Sequence, residues 1–184
     1  MNDLPESPSS PGLEAPRLRV LLAVTGFALV ADQLGKAWAF ASWRGAGGLL
    51  EVIPGLYAGA RGRNYGALFS LDGVDNAPTT RLVLTFLGLV SVGIMLRWAV
   101  LDRERWRGLD AVGGGLVLAG AMGNLADRLA LGYVRDFLIL GLRPHEIFNP
   151  ADVFMVFGAL LLLARWATRR IRRMATSGAI PEAA

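Results

Sequence analysis

The chain has 184 residues, 53% of them hydrophobic and only 18% charged, with a net charge of +4 and no cysteine. A mean hydropathy of +0.43 and a charged fraction below the ~25% usual in soluble domains point to lipid rather than water as the solvent. Without cysteine there are no disulfides, thiol nucleophiles, thiolate metal sites or sulfur-linked lipid anchors.

The first sixteen residues, "MNDLPESPSSPGLEAP", are rich in Pro, Ser and acidic groups and predict a disordered tail at 1–16. An apolar stretch follows over Leu18–Phe40. Its basic flank and "ALVAD" run resemble a secretory signal weakly, but three further apolar stretches favour a retained helix. Those stretches are Arg81–Val100, Leu109–Leu131 and Ala151–Thr168, each near the ~20 residues that cross a bilayer. Between the first two spans, residues 41–80 hold "LLEVI" and "LYAGA" on either side of Pro54-Gly55, the pattern of two short strands joined by a turn. The expected fold is therefore a membrane all-α core of four transmembrane helices (17–170) with a small extracytoplasmic β element. A basic tail at 171–184 follows, its last stretch "ATSGAIPEAA" frayed. No internal repeat is visible.

Arginines group at Arg17 and Arg19, at Arg97, Arg103, Arg105 and Arg107, and at Arg165, Arg169, Arg170, Arg172 and Arg173. All three groups lie on one side of a four-span chain, so the positive-inside rule puts both termini in the cytoplasm and segments 41–80 and 132–150 outside. Attraction to anionic headgroups accounts for the basic end more simply than nucleic acid does.

Ionisable and amide side chains then mark the outer ends of the spans. Asp32 and Lys36, with Gln33 beside them, are spaced as an i, i+4 pair, which a snorkelling ion pair at a helix end would also explain. "NYGALFS" carries Asn64, Gly66 and Phe69, ordinary turn chemistry by itself. In "GNLADR", Asn124, Asp127 and Arg128 sit where a helix ends, and an acid there needs compensation that Arg128 or Arg135 can supply. "VRDF" sets Asp136 among apolar neighbours, in what reads as a loop dipping back toward the interface. Asn149, Pro150 and Asp152 make a good helix start, with cap, first-turn proline and an acid at the third position. The lone His145 reads as a solvated loop residue: no triad motif or zinc-ligand spacing accompanies it.

Taken singly, each feature has a structural explanation; together they bring Asp136 and Asp152 to one interface. Two carboxylates in a low-dielectric site share a proton, so that one activates water while the other donates to a carbonyl oxygen or leaving amine. A proton-coupled carrier using the same acids is the alternative, but a relay spreads its ionisable groups across the bilayer and spans two and four carry none in their middles. A catalytically silent membrane protein is a third reading.

The five segments "DQLGK", "NYGALFS", "GNLADR", "VRDF" and "FNPAD", in this order, resemble the lipoprotein signal peptidase (signal peptidase II) family from Asp32 to Asp152. That resemblance implies four transmembrane helices with an extracytoplasmic β-cradle, in the bacterial cytoplasmic (inner) membrane. It implies removal of the signal peptide from a diacylglyceryl-modified prolipoprotein, just before the lipidated cysteine. The catalytic aspartates of the family fall on Asp136 and Asp152. The supporting residues fall on Asp32, Lys36, Asn64, Gly66, Asn124, Asp127, Arg128 and Asn149. The expectation includes no cofactor, no metal and no nucleic acid. It is of a monomer among membrane lipids that the cyclic peptide globomycin inhibits. The chain departs from the family pattern at Gly35, Arg135, Pro150 and Val153, leaving a paralogue with altered catalysis open. Of these, Arg135 is expected to lower the pKa of its neighbour Asp136.

Overall fold

A computed structural model describes residues 15–42, 49–66, 78–101, 108–141 and 147–176. Among these, helices α1 (Ala15–Ser42), α2 (Pro78–Leu101), α3 (Leu109–Leu131) and α4 (Pro150–Thr176) are each long and apolar enough to cross a membrane. Strands β1 (Leu50–Ile53), β2 (Leu56–Asn64), β3 (Val134–Leu140) and β4 (Ile147–Phe148) form one antiparallel sheet in the order β1-β2-β3-β4. Four helices and a small sheet are the expected fold.

Two boundaries differ from expectation. The first helix begins at Ala15, inside the segment expected to be a tail, and α4 runs on to Thr176. Residues 1–14 and 177–184 lie outside the described residues, as do Phe69, His145, Arg103, Arg105 and Arg107.

The inner helix is α3. Of its most apolar window 61% is buried, against 6–22% for the other three helices, which present large aliphatic and aromatic side chains outward. Lipid is as apolar as these side chains, so helix association in a bilayer relies on close backbone approach rather than on hydrophobic exclusion. Glycines provide it. A Cβ on Gly115 would stand 2.8 Å from the Leu21 carbonyl of α1, and one on Gly158 of α4 would stand 2.6 Å from the Gly113 carbonyl. One on Gly120 would run into the Ala151 carbonyl, at the start of α4. Close contact there places the first turn of α4 directly against α3.

The sheet covers one end of the bundle. Its β1–β2 turn uses Gly55 at φ 83°, a left-handed conformation open to glycine. The stretch expected to be an outer loop over 132–150 contributes β3 and β4 instead. Gly132 caps α3 at φ 78°, and its N–H bonds the Arg128 carbonyl. Strand alternation then sorts the side chains of β3 between two faces. Phe137, an odd-numbered position, packs with Ala39 of α1 and Ala58 of β2. Val134 and Leu140, even-numbered, line a cleft against α4. Asp136 shares their face.

Candidate active site

The site is built where α4 begins. Its first turn is capped from both directions: the Asp152 N–H donates to Asn149 Oδ1 at 3.2 Å, and the Asn149 N–H donates to Asp152 Oδ2 at 3.1 Å. This reciprocal capping box is the expected helix start. Pro150 has no N–H to satisfy, and the next donor, Ala151 N–H, is taken by Asp32 Oδ1 at 3.0 Å. Each of these early donors is therefore paired, and the Asp152 backbone is fixed in place.

Asp32 and Lys36 are no snorkelling pair. Both are fully buried, 2.9 Å apart, and Lys36 also lies 3.5 Å from Asp127. A buried cation among acids is tolerable only when its hydrogens are all used. Lys36 spends another on Asn124 Oδ1 at 2.9 Å, which turns the Asn124 amide so that Nδ2 donates to Asp152 Oδ1 at 2.8 Å. The ammonium thus orients a carboxylate it does not touch. Gly123 is required here, because a Cβ would fall 2.5 Å from Asp32 Oδ2.

On β3, Asp136 accepts one amide on each oxygen, Asn149 Nδ2 on Oδ1 at 2.6 Å and Asn64 Nδ2 on Oδ2 at 3.0 Å. Asn149, wholly buried, is the hinge of the arrangement: its side chain caps the helix bearing Asp152 and binds Asp136. Burial, with the charge of Asp152 added to it, outweighs the pull of the two amides and Lys36 and brings the Asp136 carboxyl up from 3.8 to about 6. Asn64 is held by its own turn, its Oδ1 accepting the Gly66 N–H at 3.0 Å. The Gly66 carbonyl in turn accepts from Arg128 Nη2 at 3.2 Å. Gly66 therefore joins Asn64 to Arg128, whose guanidinium faces the charges of Asp152 and Asp136.

Arg135 contradicts the expectation attached to it. As an odd-numbered position of β3 it points away from Asp136, toward α1 and α3. There it donates to Asp127 Oδ1 at 2.7 Å and to Gln33 Oε1 at 2.8 Å, while its backbone N–H reaches Asp127 Oδ2 at 2.9 Å. It is the compensation that the helix-end acid Asp127 requires, and it moors β3 to two helices. Gly35 has no structural explanation: a Cβ there would meet the Phe137 ring at an ordinary 3.5 Å.

The cleft has a volume of about 520 Å³. Asn64, Asn124, Arg128, Asn149 and Asp152 form its polar end, and Val153, Val156, Phe157 and Leu160 extend it down one face of α4. That apolar wall was not singled out from the sequence, although its i, i+3, i+4, i+7 spacing was readable there.

Residues 24–168 match the model of the signal peptidase (SPase) II family. The lipoprotein signal peptidase of Nostoc sp. is 40% identical over 136 residues, 74% of this chain and 82% of the relative. The chain belongs to the signal peptidase II family. Its relatives extend to the lipoprotein signal peptidase of Parasynechococcus marenigrum, 35% identical over 83% of this chain and 92% of that protein. That of Streptococcus agalactiae is 30% identical over 80% and 93%. A solved bacterial membrane enzyme shares the fold with a TM-score of 0.68, covering 90% of this chain and 94% of its own at 24% identity. Family membership and the apolar helices together make this a bacterial membrane protein of lipoprotein signal-peptide processing.

Proposed function

We propose that the chain is an aspartic endopeptidase that cleaves diacylglyceryl-modified prolipoproteins immediately before the lipidated cysteine, with Asp136 and Asp152 as the catalytic pair. The observation that carries this reading is the convergence of the two carboxylates on Asn149, with burial holding Asp136 near a pKa of about 6. A group poised there exchanges protons at neutral pH.

In this mechanism one carboxylate of the pair is ionised and takes a proton from water as the water oxygen bonds to the scissile carbonyl carbon. The other, protonated, gives its proton to the carbonyl oxygen, forming a gem-diol. Collapse of that intermediate restores the carbonyl, breaks the C–N bond and passes a proton to the leaving amine, so the pair ends in its starting charge state. Asn64, Asn124 and Asn149 hold the two carboxylates in register. Arg128 offsets the negative charge at the polar end. Asp32, Lys36 and Asp127 anchor α1, α3 and the start of α4 to one another.

The apolar wall from Val153 to Leu160 suits the acyl chains of the substrate, with the peptide crossing the polar end. Globomycin, as a cyclic peptide, would compete for the same cleft. The orientation that serves this substrate places the sheet outside and both termini in the cytoplasm. Mass analysis of products tests the substrate and the bond. A diacylglyceryl-modified precursor should release a signal peptide ending at the residue before the cysteine, and the unmodified precursor should stay intact. Equal cleavage of both, or a cut elsewhere, refutes the assignment.

A further inference from the structure

Beside the cleft, on the other side of Arg128, lies a second and smaller cavity of about 260 Å³ between α2 and α3. Arg81 and Thr85 of α2 line it together with Arg128 and Leu129 of α3 and with Tyr65. The Arg81 guanidinium stacks 4.3 Å above the Tyr65 ring, yet its Nε is buried without a hydrogen-bond partner. Tyr65 meets Tyr133 edge-on at 5.5 Å, and Arg63 sits 5.3 Å over the Tyr133 ring. Among the described residues, neither Arg63 nor Arg81 has a carboxylate within ion-pair distance. Arg128 feels the charges of Asp152 and Asp136, so among the described residues Arg81 is the cation of the cavity without a carboxylate near it.

This concentration of arginine is at the end of the bundle opposite the C-terminal arginines, where the positive-inside rule disfavours basic residues. Tyrosines at a helix end mark the headgroup level of a bilayer. Below Arg81 the surface turns apolar: Leu82 is 71% exposed and Leu129 62% exposed. An anion here meets guanidinium donors above and hydrocarbon below. A planar guanidinium with an unpaired N–H suits the paired oxygens of a phosphate ester.

We propose that this cavity binds the phosphate of a membrane phospholipid, held by Arg81 and Arg128 with the acyl chains along Leu82 and Leu129. The diacylglyceryl-cysteine group of the proposed substrate carries no phosphate, so the ligand is a bilayer lipid and not the substrate. Bound there, it would fix the α2–α3 seam and one side of Arg128.

Native mass spectrometry of the full chain released from detergent tests the site. Phosphatidylglycerol should remain bound at concentrations where diacylglycerol with the same acyl chains does not. Arg81→Gln should weaken retention at least about tenfold, the loss of one charge-assisted hydrogen bond, and Arg81→Lys should restore most of it. Equal retention of diacylglycerol by the wild type overturns the proposal, and that comparison stands even if Arg81→Gln fails to fold. Unchanged retention by a folded Arg81→Gln overturns it too. Inorganic phosphate at millimolar concentration separates the sources. If it displaces the lipid, the phosphate group alone is recognised; if it does not, the tethered headgroup is. Either result supports the site. No cleavage is read out, so failure of the peptidase assignment leaves the lipid result independent.

Discussion

Asn64→Ala should move the pH dependence of cleavage without unfolding the protein. Asn64 Nδ2 donates to Asp136 Oδ2 at 3.0 Å and pulls the carboxyl pKa down from where burial alone would put it. A hydrogen bond to a charged group is worth about 1.5–3 kcal/mol, and one pH unit corresponds to about 1.36 kcal/mol. Because the bond is only part-buried, the low end applies, and ionisation of Asp136 should rise by about one pH unit from about 6. If Asp136 is the base, the acidic limb of the pH–rate profile moves up; if it is the acid, the alkaline limb moves up. The pair titrates as a unit, but an upward shift of one limb is common to both cases. Asn149→Ala removes the 2.6 Å bond to the other oxygen and should shift the same limb, while also losing the helix cap at a cost of about 1 kcal/mol. The assay is kcat/KM for a lipid-modified precursor in detergent across pH, with thermal melting alongside. A profile unchanged in folded Asn64→Ala would refute the claim that these amides tune Asp136.

Lys36→Met should cost about 3–5 kcal/mol in unfolding measurements, because it strands the fully buried Asp32 and nearly buried Asp127 carboxylates without their shared cation. Arg135→Met should destabilise by about 3 kcal/mol through Asp127 yet leave the pH–rate limbs where they are. A raised limb would show that Arg135 does act on Asp136. Orientation is open to labelling because the chain has no native cysteine. Glu51→Cys on exposed β1 should react with an impermeant reagent on intact cells, and Arg172→Cys near the end of α4 only after permeabilisation; the reverse would invert the proposed topology.

Much of this architecture was legible in the chain because lipid imposes a strong rule: long apolar runs must be helices. The third span was located to the residue, and the others drifted by one to three residues at most ends, most of all where a polar flank continues the helix, as at Arg169–Arg173 in α4. The polar residues could be found because a charge within an apolar run is conspicuous. Their pairing could not. Whether Lys36 snorkels or is buried depends on the β3 cover and on Asn124, 88 positions away in sequence. The misreading of Arg135 has a simple origin. Adjacent residues face each other's charge in a loop but point to opposite faces in a strand, and β3 is too short and too mixed in polarity to announce itself. Asp110, buried and paired with Arg165 and Arg169 at the far end of α3 and α4, also went unnoticed, for its partners belong to an arginine group that reads as facing anionic headgroups.

The most direct test of the central claim is single-turnover cleavage of a diacylglyceryl-modified precursor by Asp136→Asn and Asp152→Asn, each compared with wild type at matched melting temperature. Both substitutions nearly preserve shape and remove one proton-exchanging group. The account predicts at least a thousandfold loss in each, on the order of the 10²–10⁴ that general acid–base catalysis supplies per group. Cleavage by either folded variant within tenfold of wild type would contradict it.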